Sequence, residues 1–389
     1  MKSVLFHYPI LNVGGAEKSA LRMLSALCDR GWHVTLVLTT GGGVLEPEID
    51  PRVKVVHLRP RAFGDQFVSA PWIGARLRAL PDLFGYGAMR FVGAARVVPF
   101  LFRRYDAAAV LLGGTPSRFV RRVVRAGTRA IWIRNDLSAA DPTGRVAASL
   151  RKVARALDHF ICVSEVSRSS LLAAVPQARG KDVVVYNILA ADMMRTNALK
   201  TPPPFGSARD GGVNILSVCR LSDRAKGLLR MARVCHALKG KGLAFHWYIV
   251  GEGPDRALFD AEIARLDIGD CMSLLGSMQN PFPAYLAADF VAMLSKYEGL
   301  CGVINEARVL EKAVIATRVS GIDEQLETEE NGIIVEQHET EIVAGMTRML
   351  TDPGLRQRLA TGGYPAALLD DSAKLDRLEE LLLGQERQI

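Results

Sequence analysis

No uninterrupted apolar run in the chain is long enough to span a bilayer, so no membrane-crossing helix is expected. The opening residues, Met1-Lys2-Ser3-Val4-Leu5-Phe6, run straight into a strand-like segment. They lack the apolar stretch and small-residue cleavage site of a secretory signal. The six cysteines, Cys28, Cys162, Cys219, Cys235, Cys271 and Cys301, show no C-x-x-C spacing, which disfavours the common zinc and dithiol arrangements. Most sit in apolar runs, where a reduced, buried thiol is the ordinary state. These absences together point to the cytoplasm. No G-x-G-x-x-G follows a strand with an acid some twenty residues on, so a dinucleotide oxidoreductase is a weak candidate. No zinc-knuckle, RNA-recognition or helix-turn-helix signature appears, so nucleic acid is not an expected partner. Tyr105-Asp106 heads a strand and does not make a metal-binding D-x-D, and no metal site is expected.

What is present is a charge split. The net charge of +8 over 389 residues divides unevenly. Met1–Arg195 holds 28 Lys+Arg against 14 Asp+Glu, while the remainder holds 49−28 = 21 basic and 41−14 = 27 acidic residues. The first half is therefore the part expected to meet an anionic surface or acceptor. Within it, Arg59–Tyr105 carries nine aromatics and abundant arginine, with Asp65 and Asp82 its only acids. Such interleaving over Arg59–Arg104 suits an anionic membrane interface, with peripheral attachment. Helices packed on a sheet, with solvated arginines, fit it equally well.

Strand-like and helix-like runs alternate along the chain, the βα pattern of a parallel, doubly wound sheet. Strands are expected at Val4–Tyr8, Val34–Leu38, Val53–Leu58, Ala107–Leu112, Ala130–Ile133, His159–Val163 and Val183–Tyr186. Helices are expected between them at Ala16–Arg30, Pro116–Ala126 and Arg145–Leu157. The alternation lapses around Thr201-Pro202-Pro203-Pro204-Phe205-Gly206-Ser207 and restarts at Val213. The expected division is a domain over 1–190, a linker over 191–212, a second domain over 213–370 and a C-terminal helix in 371–389 that packs back on the first domain. Open α/β sheets bind ligands at the carboxyl ends of their strands, and both halves carry glycine turns there.

The segment Tyr297-Glu298-Gly299-Leu300-Cys301-Gly302-Val303-Ile304-Asn305-Glu306-Ala307 carries most of the chemistry. It puts one carboxylate on a loop after a strand and one in the first turns of a helix. The free N–H groups of the helix start lie between them, where a phosphate or a polarised hydroxyl can be received. Paired sugar hydroxyls donate well to carboxylates. The constellation suits a ligand with sugar hydroxyls at both ends and a diphosphate between. Cys301 has no evident base, so a packing or main-chain role is expected for it.

This segment resembles the E-x7-E motif of retaining glycosyltransferases of the GT-B fold, in particular the GT4 family. Ser217-Val218-Cys219-Arg220-Leu221-Ser222-Asp223-Arg224-Ala225-Lys226-Gly227 resembles that family's strand-R-L-x-x-x-K-G element. Val250-Gly251-Glu252-Gly253-Pro254 resembles its G-x-G-P turn, and Leu274-Leu275-Gly276-Ser277-Met278 its strand-L-G loop. Gly321-Ile322-Asp323-Glu324 and Asn331-Gly332-Ile333-Ile334-Val335 resemble later scaffold segments. In the first half, Val13-Gly14-Gly15-Ala16-Glu17 resembles the family's N-terminal glycine loop, although a plain tight turn before a helix fits as well. Many members carry a histidine after the strand corresponding to Ala130–Ile133; this chain reads Trp132-Ile133-Arg134-Asn135-Asp136, and Asn135 or a neighbour occupies that place.

The resemblance implies two Rossmann-like, doubly wound domains facing across a cleft. It implies a retaining hexosyltransferase with no cofactor or metal, using a nucleotide-sugar donor and a glycan or lipid-linked acceptor in polysaccharide biosynthesis. Arg220 and Lys226 would carry the leaving diphosphate, with Glu298 holding sugar hydroxyls. Glu306 would accept the ribose hydroxyls. Gly14, Gly15, Asn135, Gly251, Gly253, Ser277, Met278, Gly299, Leu300 and Cys301 would complete the donor site. A non-catalytic sugar-nucleotide or glycan-binding subunit that kept the fold is the alternative from another class.

Overall fold

The computed structural model describes residues 2–12, 14–59, 93, 95–112, 117–206 and 212–385. The chain forms two compact units. One runs to Val163, resumes over Ser167–Ile188 and takes in the C-terminal segment from Ser372; the other comprises Ser164–Val166 and Leu189–Asp371.

The first unit is built on strands β1 (Ser3–Tyr8), β2 (His33–Thr40), β3 (Lys54–Arg59), β4 (Arg104–Val110), β5 (Arg125–Ile133), β6 (His159–Cys162) and β7 (Asp182–Val184). They lie in the order β3-β2-β1-β4-β5-β6-β7, and every pairing is parallel. β1 meets β4 in the register Val4↔Ala107, and there the strand order reverses. Helices cover the strands on both faces, so the strands read as apolar runs without alternation. Asp106 accepts from both the backbone N–H (2.8 Å) and the hydroxyl (2.9 Å) of Ser3, fastening the start of β1 to β4.

The second unit repeats the architecture with β8 (Val213–Val218), β9 (Phe245–Val250), β10 (Met272–Gly276), β11 (Phe290–Met293), β12 (Ala313–Thr317) and β13 (Ile333–Val335). Their order is β10-β9-β8-β11-β12-β13, again all parallel, with the reversal between β8 and β11. Trp247 on β9 is fully buried, and its indole N–H donates to Ser217 Oγ on β8 at 3.0 Å. That hydroxyl in turn donates to the Ala292 carbonyl on β11 at 2.6 Å. A large apolar ring and a complete polar chain thus tie three strands across the reversal, leaving no buried donor unpaired along it.

Two segments differ from the sequence expectation. The helix expected over Pro116–Ala126 is only Arg118–Arg122, and β5 begins at Arg125. Pairing with β4 reaches back to Arg104↔Arg125, so tertiary ladder formation overrides local helix pattern. The stretch expected as a linker contains a helix, Ala191–Ala198, whose Met194 and Ala198 are buried with Phe205 and Leu216. Of its remaining described residues, 199–206 lie outside helices and strands. Helix Asp371–Leu383 belongs to the first unit. Its Leu375, Leu378, Leu381 and Leu382 are buried, and Glu379 accepts from the Trp32 indole N–H at 2.5 Å and from Lys2 Nζ at 3.3 Å.

Candidate active site

In the second unit the strand order reverses at β8 and β11, and the loops that leave these two strands carry the candidate residues. After β8 the chain turns through Cys219–Ser222 into the short helix Asp223–Lys226. Gly227 then sits at φ +67° before helix Leu228–Gly240, a conformation that suits glycine. After β11 come Ser295 and Glu298, and Cys301 opens helix Gly302–Val309.

The two loops meet through Lys226 and Glu298. The Lys226 ammonium donates to Glu298 Oε1, which also accepts from Ser295 Oγ at 2.7 Å. Burial alone would lower the Lys226 pKa; the Glu298 carboxylate more than offsets it and holds the ammonium well above its ordinary range. Arg220 is exposed and makes no side-chain hydrogen bond to the described residues. It is an uncommitted cation at the end of β8.

Glu306 lies in the second turn of helix Gly302–Val309. The hydroxyl of Tyr285, itself fully buried, donates to Glu306 Oε2 at 2.9 Å and sets the orientation of that carboxylate. Cys301 is 3% exposed, and its thiol is pushed up to about 12, first by burial and then by the charge of Glu298. At neutral pH it is a thiol with no nucleophilic character. Gly299 lies under Gly321, which has φ +76°; a Cβ there would fall 2.3 Å from the Gly299 carbonyl oxygen.

The glycines of the β9 turn serve close packing. Cys219 N–H donates to the Val250 carbonyl at 2.9 Å, and Leu221 N–H to the Glu252 carbonyl at 3.0 Å. A Cβ on Gly251, at φ +147°, would lie 1.8 Å from the Cys219 oxygen, and one on Gly253 would lie 2.3 Å from the Leu221 oxygen. Any larger residue at either position would displace the loop that carries Arg220. β10 ends at Gly276, with Ser277 exposed and Met278 partly buried against the core of the second unit. Leu300 is half-buried.

Gly14, Gly15 and Asn135 belong to the first unit, at the carboxyl ends of β1 and β5. Gly14 is the N-cap of helix Gly15–Asp29, and the Glu17 side chain folds back to within 2.3 Å of where a Gly14 Cβ would stand. Asn135 is exposed between buried Arg134 and Asp136. Asp136 caps helix Leu137–Ala140 by accepting from Ser138 N–H at 2.9 Å. Arg134 donates to the Leu111 carbonyl at 2.7 Å and to Asn187 Oδ1 at 3.2 Å, and Ser19 Oγ donates to the same oxygen at 2.7 Å. This buried knot fixes the loops after β4, β5 and β7. Arg134, Tyr285 and Gln325 escape sequence reasoning because their contacts are to residues far away in the chain, and Ser295 because nothing in the sequence marks its hydroxyl as the partner of Glu298.

Comparison with known proteins fits this geometry. Residues 13–191 match the model of Glycosyltransferase Family 4, and residues 212–352 that of Glycosyl transferases group 1. The chain belongs to the GT4-type glycosyltransferases. It is similar to an alpha-D-kanosaminyltransferase of Streptomyces kanamyceticus, 30% identical over 158 residues, which are 39% of this chain and 41% of that protein. It is also similar to a Campylobacter jejuni N-acetylgalactosaminyltransferase acting on a diphospho-undecaprenol-linked sugar, 31% identical over 165 residues, 42% of this chain and 44% of that one. The chain thus spans less than half the length of these curated relatives in alignment. Among solved structures, Anabaena HepE in complex with UDP and glucose superposes with a TM-score of 0.73 at 18% identity, covering 99% of this chain and 100% of that one. The likeness assigns the GT-B fold.

Proposed function

We propose that the protein is a retaining, metal-independent glycosyltransferase that moves a sugar from a nucleotide-sugar donor to a glycan or lipid-linked acceptor. The observation that carries this reading is the pair of loops at the β8/β11 reversal, where Lys226 joins Glu298 and Tyr285 orients Glu306. Arg220 and Lys226 supply cationic donors for a departing diphosphate, the place a divalent ion would otherwise take. Glu306 receives ribose hydroxyls and Glu298 sugar hydroxyls. In a front-face reaction the bond from the anomeric carbon to the diphosphate oxygen breaks as the acceptor oxygen bonds to the same face. The acceptor proton passes to the leaving diphosphate, so no enzymic base is required.

The test is a screen of UDP-, GDP-, ADP- and TDP-sugars for thermal stabilisation, followed by transfer assays with and without EDTA. A bound donor should raise the melting temperature by mass action. Transfer with retained anomeric configuration should persist in the chelator. Loss of transfer in EDTA that magnesium or manganese restores would refute the metal-free step. A donor that binds without ever turning over would favour the non-catalytic alternative.

The acceptor reading brings in the membrane. No helix among the described residues is long and apolar enough to cross one. Most of Arg59–Arg104 lies outside the described residues, including Arg76, Arg78 and Arg90. Its described end has Val98 48%, Leu101 44% and Phe102 79% exposed, followed by exposed Arg103 and Arg104. Apolar side chains beside cations support attachment to an anionic bilayer. The protein should float with liposomes containing anionic lipid, less so as salt rises. Changing Leu101 and Phe102 to Ser, with Arg103 and Arg104, should abolish the salt-resistant remainder. If the variant floats as well as the parent, a soluble anionic glycan becomes the better partner.

A further inference from the structure

Helix Gly302–Val309 presents Ile304, Ala307 and Val309 to the core, yet Asn305, only 1% exposed, is buried in the same helix. Opposite it lies Gln325, also 1% exposed, at the end of the turn Ile322–Glu324. Buried amides cost stability unless every donor and acceptor is used. The Gln325 amide is used fully. Its oxygen accepts from Cys301 N–H at 2.8 Å, and its nitrogen donates to the Cys301 carbonyl at 2.8 Å and to Asn305 Oδ1 at 2.5 Å. The Tyr364 hydroxyl also donates to Asn305 Oδ1. One side chain therefore grips both the N–H and the C=O of the helix N-cap, as a neighbouring strand would. The helix it starts carries Glu306, and the turn before it carries Glu298.

We propose that Gln325 is a positioning residue for the donor site, with Asn305 and Tyr364 locking its amide in one orientation. The inference rests on the glycosyltransferase reading of Glu298 and Glu306. The two Gln325 N–H groups have separate acceptors, so the amide cannot flip without opposing like groups. The same two segments approach closely at Gly321, where a Cβ would lie 2.3 Å from the Gly299 carbonyl oxygen, so no side chain fits between them there. An apolar residue at 325 would fill the space but leave the Cys301 main chain free to shift. Glu306 would then lose its aim at the ligand, because hydrogen bonds weaken steeply with misalignment.

The test titrates the full chain with UDP, GDP, ADP and TDP by calorimetry and measures donor KM and kcat. Gln325→Leu should raise the Kd of the bound nucleotide about tenfold, the loss of one well-oriented hydrogen bond. Donor KM should rise in step while kcat at saturation changes little. The core variant Ile342→Val, remote from the network, is the control for lost stability and should leave Kd unchanged. Gln325→Glu supplies a signature that general loosening would not. Its protonated acid keeps one O–H donor and one acceptor, whereas the carboxylate opposes the Cys301 carbonyl and Asn305 Oδ1. Burial raises the pKa of such a group. Nucleotide affinity of Gln325→Glu should therefore fall as pH rises, against a flat parent profile. Unchanged Kd in Gln325→Leu with a flat profile in Gln325→Glu would overturn the proposal, as would an equal effect of Ile342→Val. If the parent binds none of the four nucleotides, the glycosyltransferase reading fails first.

Discussion

Replacing Lys226 with alanine should lower turnover at saturating donor about a hundredfold or more, the usual cost of losing a donor aimed at developing charge. Lys226 is half-buried, and its ammonium is already held by Glu298, so the cation is placed before any substrate arrives. Preorganisation of that kind needs no rearrangement at the moment of bond breaking. Removing it also leaves Glu298 with only the Ser295 hydroxyl among its described hydrogen-bond partners, and a misaimed carboxylate would raise donor KM as well. Arg220→Ala separates the two effects. Arg220 is exposed and has no described partner, so its loss should change stability by no more than about 0.5 kcal/mol while still depressing turnover. Normal rates in either variant, with melting curves matching the parent, would remove that residue from the mechanism.

The Lys226 pair also fixes what pH can do. Its folded-state pKa lies above the ordinary 10.5, so the ammonium stays charged through neutral and mildly alkaline pH. The stability this pairing contributes is complete below the unfolded value and is lost only as pH rises through the higher folded one. An alkaline fall in rate between pH 7 and 9 would therefore belong to another group.

Sequence pattern carried the alternation of strands and helices because buried parallel strands are nearly unbroken apolar runs, as Ala313–Thr317 is. It carried Glu298, Glu306, Arg220 and Lys226 as candidates because loops at strand ends keep short, readable motifs. It missed what depends on pairing at a distance. The start of β5 at Arg125 is set by its partner Arg104, and nothing local marks it. Ala191–Ala198 buries only Met194 and Ala198, too few positions for a clear helical period. Gln325 follows a turn whose sequence reads as scaffold, and its reach to Cys301 crosses 24 positions. Gly251 and Gly253 were legible as donor-site glycines by resemblance, and what the sequence did not show is the neighbouring backbone packed against them.

Glu306→Ala should weaken binding of the nucleoside diphosphate by about a hundredfold or more, since two hydrogen bonds to a charged acceptor are worth about 1.5–3 kcal/mol each and each 1.4 kcal/mol is about tenfold. Its folding cost should be small, because the side chain is half-exposed and takes its described bond from Tyr285. Tyr285→Phe is the informative companion. The ring stays in the core, only the hydroxyl goes, and the carboxylate loses the donor that fixes its rotamer. If Tyr285 works through Glu306, its variant should bind nucleotide less tightly than the parent but more tightly than Glu306→Ala. The double variant should then be no worse than Glu306→Ala alone, since residues in one network do not add. Calorimetry on folded proteins decides it. Unchanged affinity in Glu306→Ala would take the ribose away from this carboxylate. Additive losses in the double variant would mean that Tyr285 contributes to binding independently of Glu306.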